Sequence, residues 1–283
     1  MPVEPGQSIL EKTVFARRVA LRQTQAAFPL ERVRQMAKAR KDRRDFASAL
    51  AAGAGEGTSA GFHVIAELKR ASPSRGVLRS DYCPGEIAPA YASAGASALS
   101  VLTEEQYFMG STADLAEARR AVEIPVLRKD FILESYQVYE SVAIGADALL
   151  LIVAALSDGE LRQLLERCRG LGIAALVEVH TDAELERAIQ AGARIIGVNN
   201  RNLKTLDVSL ETSLELRTKI PRGCLAVSES GIKTAADLHR MQQAGFNAVL
   251  IGERLMTQPD PGAALGQLLA DFARPGAAIE ARE

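Results

Sequence analysis

The sequence predicts a (β/α)8 TIM barrel with an N-terminal helical extension. Short apolar segments alternate with amphipathic ones, a glycine-containing phrase recurs before successive strands, and charged side chains gather where strands end. Strands are expected at Val64–Leu68, Ala98–Leu102, Pro125–Arg128, Ala148–Val153, Ala174–Val179, Ile195–Val198, Leu225–Val227 and Ala248–Ile251. Helical periodicity separates them, as in Leu161–Arg169, Asp182–Gln190, Leu210–Lys219 and Ala235–Gln243. The phrases AGASALSVL, IGADALLLI, AGARIIGVN and AGFNAVLIG place Gly95, Gly145, Gly192 and Gly245 where a helix needs a left-handed cap before the next strand. Strands that are apolar throughout belong in a parallel sheet covered on both faces. A doubly wound sheet is the alternative, but it would not need eight near-regular units.

In front of the barrel, Ser8 to about Ala26 reads as a helix, Phe28-Pro29 as a break, and Leu30 to about Ala52 as a second helix. The second helix carries a basic cluster, Lys38 to Arg44. With Asp42 and Asp45 interleaved, the cluster reads as a solvated face rather than a nucleic-acid patch. Ala51 to Gly61 is a Gly/Ala/Ser joint. The expected organisation is therefore residues 1–61 as extension and linker of the same domain, 62–273 as barrel, and 274–283 as a disordered tail.

Composition narrows the class. Of 283 residues, 47% are hydrophobic and 24% charged, as in a globular chain with a sizeable core. A formal net charge of −1 argues against general nucleic-acid binding. Cys83, Cys168 and Cys224 show neither a disulfide framework nor CxxC spacing. No signal peptide or membrane span is indicated, so a reducing cytoplasm is the expected location.

The chemistry is expected at the carboxyl ends of the strands. In VIAELKRASPS, Ile65, Glu67 and Lys69 share one face of an extended chain, so a row that begins as core ends in a carboxylate and an ammonium. An ion pair closing a strand would look the same. Lys129 and Asp130 follow the third strand, Glu178 and His180 the fifth, Asn199 to Arg201 the sixth, Ser228 to Gly231 the seventh, and Gly252-Glu253 the eighth. Asp130 should point to the opposite strand face from Lys129 and is left out of the site. A lysine among apolar neighbours and cations loses proton affinity and can serve as acid, base or Schiff-base nucleophile. Lys69 and Lys129 both fit, with Glu67 or Glu178 either tuning them or merely neutralising them. Ser230-Gly231 and Gly252, each before an expected helix, suit a phosphate, although both glycines could simply permit tight turns. No nucleotide-binding loop is present, and three scattered histidines make neither a metal site nor a Ser-His-Asp triad.

The stretches AELKRASPSRG, SVLTEEQYFMGS, PVLRKDFI, LVEVHT, GVNNRNL, VSESGI and LIGERLM, in this order, resemble the indole-3-glycerol-phosphate synthase family of tryptophan biosynthesis. The resemblance runs from about Ile9 to Leu269. It implies ring closure of 1-(2-carboxyphenylamino)-1-deoxyribulose 5-phosphate with loss of carbon dioxide and water, without metal or organic cofactor. It further implies Lys129 as general acid, Lys69 as carboxylate anchor and second acid, Glu178 as base or cation stabiliser, and Glu67 as its partner at the first strand. Ser72, Asn199, Arg201, Glu229 and Ser230 would contact substrate, and Ser230, Gly231, Gly252 and Glu253 its phosphate. Glu253 departs from relatives with a small hydroxyl residue there, which puts a side-chain phosphate contact in doubt. The implied partner is a small anionic sugar phosphate. A monomer is expected, association with other tryptophan-pathway enzymes stays open, and no nucleic acid or membrane is involved.

Two rival readings remain at this point. Phosphoribosylanthranilate isomerase shares the fold but wants a cysteine base where this chain has Glu67-Leu68-Lys69. A non-enzymatic phosphate-binding barrel would not need Lys129 and Glu178 together.

Overall fold

A computed structural model describes residues 8–51, 62–203 and 205–274. Eight parallel strands close on themselves: β1 (His63–Leu68), β2 (Ala98–Leu102), β3 (Val126–Lys129), β4 (Ala148–Ile152), β5 (Ala174–Val179), β6 (Ile195–Asn199), β7 (Leu225–Glu229) and β8 (Ala248–Ile251). Closure is made by β1, where Ile65 stands opposite Leu250 on one side and Ala98 on the other. Every expected strand is present, with ends moved by two residues or fewer.

Alternation along each strand divides two cores. Ile65, Leu150, Leu176 and Leu250 fill the barrel interior, whereas Val64, Ala66, Leu149 and Val177 face the surrounding helices. Those helices are α4 (Pro84–Ser93), α5 (Thr112–Ala121), α6 (Ser135–Ala143), α7 (Asp158–Leu171), α8 (Asp182–Gln190), α9 (Glu211–Arg217), α10 (Ala235–Gln243), α11 (Glu253–Met256) and α12 (Pro261–Ala273). Several begin on side-chain caps placed at the strand exits, Ser111, Ser157, Thr181 and Thr234 among them. The recurring glycines end helices as expected, with φ of 107° at Gly145 and 88° at Gly245.

The extension touches both ends of the barrel. Helix α1 (Ile9–Ala27) lies at the carboxyl end of the strands, where Arg17 Nη2 donates to Asp130 Oδ2 at 2.7 Å and Gln25 to Glu134 at 3.0 Å. Helix α2 (Leu30–Ala39) then runs beside α6. The single helix expected from Leu30 to about Ala52 is not formed. It breaks at Arg40–Asp45, and α3 (Phe46–Ala51) starts afresh, with Asp45 accepting from the Ser48 amide at 2.9 Å.

The basic cluster is only in part a solvated face: Lys38, Lys41 and Arg43 are exposed, whereas Arg40 and Arg44 are half-buried. Arg40 reaches the Ala146 carbonyl and, at 2.5 Å, Asp147 Oδ1, while Arg43 reaches the Leu171 carbonyl. Arg44 Nη1 donates to the Ile124 carbonyl at 2.8 Å. These acceptors precede β3, β4 and β5, so the arginines clasp the amino-terminal rim and pull the chain out of helical form. Asp147, whose side chain is fully buried, is the hub: it also accepts from the amides of Arg44 and Val126 and pairs with Arg119 at 3.1 Å.

Helix α3 closes that end. Phe46 and Leu50 are both 0% exposed and join the interior core with Ile65, Ala98 and Val227. Removal of so large a buried ring leaves a cavity the rim cannot fill. Phe46→Ala is expected to destabilise the fold by about 3–5 kcal/mol, read as a lower urea midpoint at unchanged slope. The expected joint falls within Ala51–Gly61, of which only Ala51 is among the described residues, and of the expected tail only Arg274 is.

Candidate active site

A cavity of about 470 Å³ opens at the carboxyl ends of the strands, and all twelve side chains or glycines singled out from the sequence line it. Glu67 and Lys69 do share a face, and Lys69 Nζ pairs with Glu67 Oε1 at 2.7 Å. The ion pair expected as one reading of this stretch is present, and both side chains also line the cavity. Glu67 is 3% exposed and has Ser100 Oγ near its other oxygen, at 3.4 Å. Gly252 makes room for it, because a Cβ there would lie 2.3 Å from Glu67 Oε1.

Lys129 sits at the centre. Its Nζ lies 3.0 Å from Glu178 Oε2 and also pairs with Glu229 Oε2. Burial pushes the ammonium toward neutrality, but Glu178, Glu229 and the more remote Glu67 outweigh it and hold it well above the ordinary lysine range. The expectation that Lys129 would lose proton affinity is overturned: its neighbours are anions, not cations. Lys129 is therefore held as an ammonium rather than a free amine.

The two carboxylates facing Lys129 differ. Glu178 must overcome burial, and Lys129 with His180 holds it below the usual carboxylate range. Glu229 is pushed up to about 7, by burial first and by the charge of Glu178. Its Oε1 is buried without a hydrogen-bond partner, and Gly197 gives it space, since a Cβ there would lie 2.1 Å away. Glu229 is therefore expected to release its proton near neutrality. A protonated-carboxyl infrared band should fade between about pH 6 and pH 8 and be missing from Glu229→Gln.

One wall is apolar, a feature the sequence reading did not identify. Phe108 and Phe131 stand with ring centroids 6.5 Å apart, and Leu206, Ile232 and, from α1, Leu10 also line the cavity. Phe108 is placed there by Glu104, which is 2% exposed and whose carboxylate accepts from the amides of Gln106, Tyr107 and Phe108 at 3.0, 2.7 and 3.0 Å. The signal was an acidic residue two to four positions before a run needing its amides satisfied. Asp130, as expected, spends its carboxylate away from Lys129, on Thr103, Arg128 and Arg17.

Another part of the lining suits an anion. Ser230 (φ 66°) and Gly231 (φ 86°) turn the chain after β7, and Gly252 caps the single turn of α11. Ser230-Gly231 precedes a helix as expected, α10 beginning at Ala235 behind its cap at Thr234. Asn199 Oδ1 accepts from Ser230 Oγ at 2.9 Å and from the Arg201 amide at 3.0 Å. The Glu253 carboxylate pairs with Arg75 at 2.9 Å and Arg201 at 3.3 Å. In the free protein that side chain holds cations at the anion wall, so a phosphate there would rely on backbone amides and those arginines. Ser72 lies on the small hairpin after β1, its hydroxyl 3.4 Å from Ser74 Oγ.

Comparison with known proteins places these features in a wider set. A family model described as indole-3-glycerol phosphate synthase matches residues 10–268. Indole-3-glycerol phosphate synthase of Polaromonas sp. is 49% identical over 260 residues, covering 92% of this chain and 97% of that one. The enzyme of the same name from Carboxydothermus hydrogenoformans is 46% identical over 262 residues, covering 92% and 99%. Among solved structures, 3-hexulose-6-phosphate synthase from Salmonella typhimurium superposes with a TM-score of 0.58 at 11% identity, over 74% of this chain and 99% of that one. A mandelate oxidase variant gives 0.58 at 18% identity, over 75% and 71%. At those identities the structural likeness concerns the fold alone.

Proposed function

The chain belongs to the indole-3-glycerol phosphate synthase family, and from that premise we propose how its own residues divide the work. The reaction closes a pyrrole ring on 1-(2-carboxyphenylamino)-1-deoxyribulose 5-phosphate and releases carbon dioxide and water. The observation that carries the assignment of roles is Lys129, an ammonium held between two buried carboxylates in a cavity that Phe108 and Phe131 also line.

The anilino ring stacks in the slot lined by Phe108 and Phe131, and the phosphate rests against Ser230, Gly231 and Gly252 with Arg75 and Arg201 alongside. This spans the substrate across the cavity and brings its carbonyl to Lys129. Lys129 protonates that oxygen as the ring carbon attacks, and the positioning converts a difficult encounter into a step within one complex. Lys69, released from Glu67, takes the ring carboxylate. Loss of carbon dioxide restores the aromatic system, so the cation must neutralise this group without fixing it permanently. A hydroxyl then leaves as water with a proton from a lysine, and Glu178 accepts the proton that the new five-membered ring loses in this dehydration. Glu67 resets Lys69, and Glu229 resets Lys129.

Ring closure and dehydration need proton transfers, and decarboxylation needs only a place for the carboxylate's electron pair in the ring system. No step is a net oxidation or reduction, so side chains alone suffice in this reading, without metal or organic cofactor. No helix among the described residues is long and apolar enough to cross a membrane, in keeping with work on a small soluble substrate in the cytoplasm. The direct test is incubation with the anilino-deoxyribulose phosphate while indole fluorescence is followed. Appearance of indole fluorescence supports the reading. Tight phosphate binding without turnover would instead favour a non-catalytic barrel.

A further inference from the structure

Glu178 has a second neighbour whose purpose the roles above do not explain. His180, the residue directly after β5 and with a side chain only 9% exposed, brings Nε2 to 3.3 Å from Glu178 Oε1, while Glu178 Oε2 faces Lys129. The ring is itself held from behind. One oxygen of Glu184, in the first turn of α8, accepts from the His180 backbone amide at 2.8 Å and lies 3.1 Å from Nδ1. A carboxylate that grips both the backbone and the ring of one histidine fixes where its other nitrogen points. Glu178 is thus bracketed by Lys129 on one oxygen and by a ring held from behind on the other.

The chemistry makes that bracket consequential. When Lys129 turns toward a substrate oxygen, Glu178 loses its ammonium partner while staying buried. A lone buried carboxylate takes up a proton or rotates, and in either case fails as a base. We propose that His180 is a positioning residue that keeps Glu178 anionic and oriented while Lys129 is engaged with substrate. This rests on the reading that Glu178 and Lys129 act on the substrate. The contact in the free protein is a charge pair rather than an aligned hydrogen bond, as befits a partner whose full grip is needed only once Lys129 has left. Burial opposes charge on the ring, yet Glu178 and Glu184 raise His180 to about 10, so it carries that charge at neutrality. The charged groups facing Glu178 are then Lys129 from β3 and His180 from its own strand end, with Glu184 of α8 facing the ring from behind and Glu229 of β7 sharing Lys129.

The test compares His180→Phe, His180→Gln and Glu184→Gln with the parent protein in full pH profiles of kcat and KM, with Glu178→Gln as reference. Loss of the ring donor should lower kcat about 100-fold with little change in KM. It should also move the acid limb of the profile to higher pH, because Glu178 without its cation protonates more readily. His180→Gln, a neutral donor of similar reach, should recover part of kcat but leave the limb displaced. Glu184→Gln should shift the limb the same way by less, which keeps the test decisive if His180→Phe folds poorly. An unmoved limb in these variants, or a loss expressed in KM alone, overturns the proposal. If Glu178→Gln itself keeps normal turnover, the underlying role of Glu178 falls instead, which is a separately readable result.

Discussion

Lys129→Met is expected to lower turnover by about 100- to 10,000-fold while the barrel still forms. The readout is the initial rate of indole fluorescence with purified protein, and Glu178→Gln should fall in the same range. Near-normal rates in either variant would remove the proposed roles. Lys129→Met should also change stability in a way that a mere binding residue would not. Glu229 loses the ammonium it pairs with, and Glu178 keeps only His180. Breaking a buried ion pair on one side costs about 3–5 kcal/mol, and the sign of its pH dependence is fixed. Carboxyl groups whose folded pKa has risen favour the protonated form, so the deficit is full near neutrality and shrinks as pH falls toward the unfolded carboxyl range. Urea melts at pH 7 and pH 5 would show the gap between variant and parent narrowing on acidification.

Removing the extension in two stages should give two different defects. Without residues 1–28, the cavity loses Ile9, Leu10 and Thr13 from its wall and the tie from Arg17 to Asp130. The barrel should fold and bind substrate more weakly, with KM raised about tenfold or more, the equivalent of about 1.4 kcal/mol. Without residues 1–50, the interior core also loses Phe46 and Leu50, and Asp147 loses Arg40 and Arg44. That shorter protein should aggregate or melt early rather than merely bind poorly. Circular dichroism melts alongside kinetics separate the two outcomes. Equal behaviour of both truncations would contradict the division of labour between α1 and α3.

Much of this was legible in the chain because each barrel unit is locally self-consistent. Apolar strand, side-chain cap, amphipathic helix and helix-ending glycine all point to the same answer at once. Every candidate site residue likewise follows or ends a strand, so one rule about strand exits gathered them around one cavity. What escaped was set by partners distant in sequence. Arg40–Asp45 reads as helix until the acceptors at Ile124, Ala146 and Asp147 are known. The charge on Lys129 could not be signed without knowing that carboxylates from β5 and β7 both lean on it. Gly252 had suggested a phosphate turn, and only the geometry shows that it and Gly197 also clear space for Glu67 and Glu229.

The placement of α3 has a bearing on how the molecule is made. Phe46 and Leu50 are synthesised before any strand of the barrel, yet α3 meets both β2 and β7, and Arg17 and Asp130 stand 113 positions apart. At ribosomal speed, the wait between α3 and β7 is on the order of ten seconds. During that time two large apolar side chains have no permanent partner, and closure of such distant loops is slow in itself. The extension would then emerge ahead of the barrel yet be among the last segments to dock. Nascent chains of this protein should depend on chaperone shelter early, and refolding should regain barrel structure before the amino-terminal rim is sealed.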